Sequence, residues 1–245
     1  MMDSASARGP VPAADPVLAA DPVLAADPVL AADPVLAAGR AGPGGGGREL
    51  WLVRHGESTW NVLGLVQGHC DQARLTHRGT VQARAVAADL GARPIGTLYV
   101  SDLRRAQQTA APLAAALGRP MIRDARLRER CLGVLEGTSL PALPTVASGL
   151  RGGRVADPDA RPEGGESLRD FYHRVAAFAG DLAVRHADGP DAPAGDIAVV
   201  AHGGTLRMLT AWLYRVPVEE MGWEPLGNAC IRRFPADLLA LVMNR

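Results

Sequence analysis

Three short apolar runs, Leu50–Val53, Ile95–Val100 and Ile197–Ala201, punctuate the chain, and a helical pattern follows each of them. That alternation constrains the fold more than any other feature. Short runs so rich in apolar and β-branched residues read as strands buried on both faces. Thr76 can cap an Ala-rich helix that runs through Leu90, with Gly91 as its stop. A second helix is expected over Leu103–Leu117, ended by Gly118. A third spans Ser167–Arg185, where Leu168, Phe171, Val175, Phe178 and Leu182 recur at helical spacing. A fourth runs from about Thr205 to Tyr214, and Leu238–Met243 reads as a late edge strand. The fold class is therefore α/β, a three-layer αβα sandwich with a mostly parallel central sheet. In such sheets the ligand sits beyond the carboxyl ends of the strands, at a switch in strand order.

The N-terminal stretch obeys different rules. Residues 15–38 are perfect tandem copies of Asp-Pro-Val-Leu-Ala-Ala, followed by a glycine run that ends at Gly47. Each Asp-Pro could start one helical turn, but the next proline excludes its preceding Asp from the α region before the turn can propagate. Residues 1–48 are read as a disordered low-complexity tail with no assigned role, and residues 49–245 as the folded domain.

Charge narrows the chemistry. Lys plus Arg is 26 and Asp plus Glu is 26, so neither a nucleic-acid nor an acidic-membrane partner is expected. Every one of those cations is an arginine. Without lysine, Schiff-base chemistry and a Walker-type phosphate loop are excluded, while planar forks suited to phosphate oxygens are abundant. Three cysteines, Cys70, Cys131 and Cys230, form no metal-ligand spacing and no disulfide framework. No stretch is long and apolar enough to span a membrane, so a cytoplasmic location is expected.

Three motifs fall at the strand ends: Arg54-His55-Gly56-Glu57-Ser58-Thr59-Trp60-Asn61, Ser101-Asp102-Leu103-Arg104-Arg105-Ala106 and Ala201-His202-Gly203-Gly204. A fourth, Leu127-Arg128-Glu129 through Gly133-Val134-Leu135-Glu136-Gly137, lies on an expected loop. Singly, each has a plain structural reading, such as a hydrogen-bonded histidine or a solvated ion pair. Together they bring two histidines, two arginines and a carboxylate to one sheet edge.

On these motifs the chain resembles the histidine phosphatase superfamily, which includes the cofactor-dependent phosphoglycerate mutases and many small phosphatases. The resemblance runs from about Leu50 to the C-terminus and implies a phosphoglycerate mutase-like fold. It implies a phosphorylated nucleophile at His55 and a proton donor at Glu129. Arg54, Asn61, Arg105, His202 and the backbone at Gly203 then form the phosphate pocket. A phosphohistidine divides a difficult hydrolysis into two displacements. Positive charge from Arg54 and Arg105 should keep His55 neutral and clamp the equatorial oxygens. His202 is expected to serve in its charged form. Glu129 is flanked by Arg128 and Arg130, whose charges favour the carboxylate although a general acid must hold a proton; a bound phosphate dianion would reconcile the two. No metal and no cofactor is required.

The resemblance alone does not separate hydrolysis from phosphoryl transfer between hydroxyls. Gln67-Gly68 stands where phosphatases of the family tend to carry Gln. The stretch from Gly137 to Glu166 is shorter than the mutase insertion, and the lysine with which mutases hold a carboxylate is absent. Pro162-Glu163-Gly164-Gly165-Glu166-Ser167-Leu168 likewise has the phosphatase pattern. A phosphomonoester hydrolase acting on a small phosphorylated metabolite is therefore expected, with a mutase or a non-catalytic phosphate-binding module as the alternatives. Arg151, Arg154 and Arg161 could hold a second anionic group, although a solvated loop is the plainer reading. His69 and Cys70 are placed near the pocket, Cys131 beside the acid as a small filler, and His77, His173 and His186 on helix surfaces. A homodimer is compatible with the sequence, which does not specify oligomeric state.

Overall fold

A computed structural model describes residues 47–139, 149–187, 193–223 and 226–243. The expected tail, residues 1–48, lies outside the described residues apart from Gly47 and Arg48. Arg48 is tied to the domain, since its guanidinium donates to the His186 carbonyl at 2.6 Å.

The elements run β1 (Glu49–Arg54), α1 (Thr59–Val62), α2 (His77–Leu90), β2 (Ile95–Ser101), α3 (Arg104–Leu117), β3 (Met121–Asp124), a hairpin of β4 (Leu150–Arg151) and β5 (Arg154–Val155), α4 (Leu168–Arg185), β6 (Asp196–Ala201), α5 (Gly203–Tyr214), β7 (Ile231–Pro235) and α6 (Asp237–Met243). The main sheet has the order β3-β2-β6-β1-β7. The β1–β6, β2–β6 and β2–β3 pairs are parallel, and β7 closes the edge antiparallel to β1.

Side-chain alternation along the central strands builds a core on each face. Leu50, Leu52, Ile197, Val199 and Ala201 pack toward α4, α5 and Leu239 of α6. Trp51, Val53, Ala198 and Val200 face the opposite way, against Val86, Leu90, Ala106, Ala110 and Leu113 of α2 and α3. Each large apolar side chain so buried contributes about 1.5–3 kcal/mol relative to exposure. This is the expected αβα sandwich.

The helix signals held locally. Thr76 Oγ1 accepts from the Gly79 amide at 2.9 Å to start α2, and Gly118 ends α3 in the left-handed region at φ 60°. Ser167 and Asp170 form a reciprocal capping box at the start of α4. The expected strand over Leu238–Met243 is instead the helix α6, and the edge strand is Ile231–Pro235. A short apolar run does not discriminate strand from helix, and the real edge carries Arg232, Arg233 and Pro235, residues that suit an edge but break an apolar pattern.

The chain leaves β1 and enters the sheet again at β2, with β6 inserted between them. Arg54 and Ala201 are register partners at the carboxyl ends of β1 and β6, and the His55 amide donates to the Ala201 carbonyl at 2.9 Å. That pairing sets His55 beside His202.

Candidate active site

A cavity of about 360 Å³ opens at these strand ends. Arg54, His55, Asn61, Gln67, Gly68, Arg105, Glu129 and Gly203 all line it, so eight of the nine residues anticipated from sequence share one wall system. The ninth, His202, is wholly buried rather than lining the cavity, with its ring centroid 5.2 Å from that of His55.

His55 follows β1 directly, and its orientation is fixed by the main chain. Nδ1 lies 2.7 Å from the Gly56 carbonyl. A carbonyl can only accept, so Nδ1 carries the proton and Nε2 carries the lone pair. Burial, then the Arg105 and Arg54 charges, push the imidazole well below its ordinary value. The ring is therefore neutral and basic at Nε2.

His202 departs from expectation. Burial and the charges of Arg105, His55 and Arg54 push it down strongly as well. It is neutral, not the cation the sequence suggested, first because the ring is buried and then because the Arg105 and Arg54 charges lie near it. Its Nε2 lies 2.8 Å from Ser101 Oγ, and Ser101 Oγ already accepts from the Leu103 amide. A hydroxyl oxygen can accept a second hydrogen bond, so this contact suits either ring tautomer, and Nδ1 is buried with no hydrogen-bond partner among the described residues.

Arg105 opens α3 and is completely buried. It donates to the Gly68 carbonyl at 2.8 Å and the Cys70 carbonyl at 3.0 Å, fixing the loop that carries Gln67. Burial pushes the guanidinium down to about 10, still far above neutral pH. Gly68 adopts φ 46°, and a side chain there would collide with the Glu136 carboxylate, which accepts from the His69 amide at 2.8 Å. Arg54 donates to the Leu226 carbonyl. Asn61 Oδ1 accepts from the Ser58 amide at 3.0 Å and from Asn228 Nδ2 at 3.1 Å, and Gln67 Oε1 from Ser58 Oγ at 2.9 Å.

Glu129 lies on coil between two short 3-10 turns, Ala125–Leu127 and Gly133–Leu135. Its Oε2 accepts from the Gly204 amide at 2.9 Å, at the N-terminus of α5, and its Oε1 from the Arg130 amide at 2.9 Å. A Cβ at position 204 would overlap this carboxylate, so glycine is required for the approach. The flanking arginines donate to other partners: Arg128 forms a two-point pair with Asp102 at 2.7 and 2.5 Å, and Arg130 donates to the carbonyls of Glu166 and Ala160.

Several lining residues carry no motif that sequence reasoning used. Arg207 lines the cavity with its guanidinium 5.0 Å from the Trp223 ring centroid. One signal for it was present, since Arg207 lies one turn beyond Gly203 on the same helix and so shares its face. Leu150 arrives from β4, and Trp223 and Leu226 from coil far along the chain. Arg151 and Arg154 are exposed on the hairpin and do not line the cavity, while Arg161 pairs with Asp170 at 2.5 Å. His69 and Cys70 are half-buried and also outside the lining. His77 and His173 are exposed as expected; His186 is not, for it is buried with Nε2 3.1 Å from Tyr99 Oη. Among the described residues no group of His, Cys, Asp and Glu is arranged to hold a metal ion, and no helix is long and apolar enough to cross a membrane.

Residues 50–237 match the model of the histidine phosphatase superfamily (branch 1). Glucosyl-3-phosphoglycerate phosphatase of Mycobacterium tuberculosis is 36% identical over 183 residues, covering 74% of this chain and 81% of the relative. "Probable phosphoglycerate mutase GpmB" of an Enterobacter species is 37% identical over 187 residues, 76% of this chain and 83% of the relative. The solved structure of a mycobacterial glucosyl-3-phosphoglycerate phosphatase in complex with VO3 superposes with a TM-score of 0.65 at 34% identity, covering 76% of this chain and 92% of that one.

Proposed function

Because this chain belongs to the histidine phosphatase superfamily (branch 1) and is a phosphoric monoester hydrolase, we propose that it works through a phosphohistidine formed on His55 Nε2. The observation that carries this reading is the Nδ1–Gly56 hydrogen bond of 2.7 Å on a buried, neutral imidazole lining the cavity. Nε2 attacks phosphorus and the bond from phosphorus to the ester oxygen breaks. Glu129 gives its proton to the departing oxygen. Water then attacks phosphorus, giving a proton to the Glu129 carboxylate, the N–P bond breaks, and phosphate leaves with the His55 lone pair restored. Arg54 and Arg105 hold the equatorial oxygens while charge spreads over them. The Gly203 amide, at the N-terminus of α5, supplies a further donor, and His202 backs the site from its buried place beside His55. None of these steps calls on a metal.

The proposed substrate is a small phosphorylated metabolite of the kind named for the mycobacterial relatives, in which phosphate is borne on a glyceric acid unit. A cavity of about 360 Å³ matches that size class. The likeness to a relative named as a mutase supports a second reading, transfer of phosphate between the hydroxyls of a phosphoglycerate. The absence of lysine weighs against it, because the chain lacks the ammonium with which mutases hold the carboxylate.

A phosphomonoester panel that includes glucosyl-3-phosphoglycerate, phosphoserine and 3-phosphoglycerate, run with and without EDTA, tests the proposal. Chelator-resistant release of inorganic phosphate is expected, with loss of at least about 10⁴-fold in His55→Ala. Rapid acid quench should trap an N–P adduct on His55. Wild-type turnover in His55→Ala, or interconversion of phosphoglycerates without phosphate release, would overturn it.

A further inference from the structure

Glu129 sits on coil, yet a proton donor must be placed to within a few tenths of an ångström, so something outside its own segment has to hold it. One side chain does most of this. Arg174, in the middle of α4, donates through Nη1 to the carbonyls of Arg126 at 2.7 Å and Arg128 at 3.0 Å, and through Nη2 to that of Glu129 at 3.0 Å. The same fork forms a two-point pair with Glu166, Nε to Oε1 and Nη2 to Oε2, both at 2.7 Å. Glu166 in turn accepts the Cys131 amide on Oε2 at 2.9 Å, and its own amide donates to the Cys131 carbonyl at 2.9 Å. The segment is therefore gripped at residues 126, 128, 129 and 131, on both sides of the acid and at the acid itself.

The plane of the clamp is fixed as well. The Arg174 guanidinium lies 4.9 Å from the centroid of Phe171, one turn earlier on α4, and Phe171 is fully buried. The Phe171 edge reaches Gly204, whose amide holds the Glu129 carboxylate from the other side. Thr205 Oγ1 adds a bond to the Arg128 carbonyl at 2.9 Å. Burial alone would raise the Glu166 carboxyl; the Arg174 fork and the Cys131 amide outweigh it and keep the group below the usual carboxylate range, hence ionised and available to the fork.

We propose that the Arg174–Glu166 pair is a positioning device for catalysis: a fork rooted on α4 that fixes the main chain around Glu129 so that its carboxyl meets the leaving-group oxygen. Neither residue touches the substrate cavity, so both act through Glu129. Lysine at 174 keeps the charge but cannot span two carboxylate oxygens and three carbonyls, which makes the exchange non-conservative here. This inference rests on the assignment of Glu129 as the acid.

The test is a leaving-group comparison on the full-length protein. p-Nitrophenol leaves without needing a proton, whereas the alkoxide of glycerol 2-phosphate needs one. Arg174→Lys should lower kcat/KM for glycerol 2-phosphate by about 10- to 100-fold, part of the 10²–10⁴ that a general acid supplies, while p-nitrophenyl phosphate changes less than about threefold. Glu129→Gln should show the same selectivity more strongly, and Arg174→Lys added to it should cause no further selective loss. Should Arg174→Lys fail to fold, as judged by thermal melting, Glu166→Gln is read in its place with the same expectation. An equal fall on both substrates, or a selective loss that still adds on the Glu129→Gln background, overturns the positioning role. If Glu129→Gln itself shows no leaving-group selectivity, the acid assignment fails, and the clamp's purpose with it.

Discussion

Two imidazoles, 5.2 Å apart between centroids, are held neutral first by burial and then by the charges of Arg105 and Arg54. For His55 this has a kinetic consequence. A lowered value means that protonation begins only well below the ordinary imidazole value of about 6.5, so the proposed nucleophile survives acidification. kcat/KM should hold level from pH 7 down to about 5.5, where a free imidazole would be mostly protonated; a pH–rate profile falling with a midpoint near 6.5 would contradict it. Arg105 is the other sensitive residue, because its fork both supports the Gly68 and Cys70 carbonyls and reaches the cavity. Arg105→Lys should lower kcat/KM by about 10²–10³-fold, in the range of a lost oxyanion donor, measured on any phosphomonoester the enzyme accepts. Residues such as Arg54, His55 and Gly203 were readable in the chain because their motifs stand at strand ends and carry the family resemblance. Trp223 was not, because what brings it to the cavity is the path of the chain, not its neighbours in sequence.

Local signals specified the long elements well and the short ones poorly. The α4 start is an example of the first: Ser167 is buried, accepts from the Asp170 amide at 3.0 Å and donates its own amide to Asp170 Oδ2 at 2.9 Å. Ser167→Ala should cost about 1 kcal/mol, the usual worth of a cap, and lower the melting temperature by about 2–4 °C for a chain of this size, as read by calorimetry at neutral pH. The α4 registry matters beyond stability, since seven residues further along the same helix Arg174 reaches the Glu129 segment. Leu238–Met243 is the counter-example. Its apolar run satisfies either period, and it becomes helix because β7 has already occupied the sheet edge beside β1. The two-residue strands β4 and β5 carry too few positions for any period to emerge.

Over the whole molecule, the buried histidines bear on acid stability. Burial and the charges of Arg48 and Arg185 push His186 down to about 4, and His55 and His202 are depressed as well. In the unfolded chain each takes up a proton near 6.5, so the unfolded state binds more protons as pH falls below that value. Stability from these groups is fully present above about pH 6.5 and is lost as pH drops toward 4. Melting temperature should therefore decline across that window, and His186→Gln should flatten the decline; an unchanged slope in the variant would contradict the assignment. The β–α alternation and both core faces were legible in the linear chain, because hydrophobic period is a local property that survives without a partner, and the expected site residues that line the cavity were named through the motifs that carry the family resemblance. The neutral state of His202, the burial of His186, the arrival of Trp223 and the hold of Arg174 on the Glu129 segment came from the fold. Desolvation and long-range hydrogen bonds exist only once segments distant in sequence have been packed against one another.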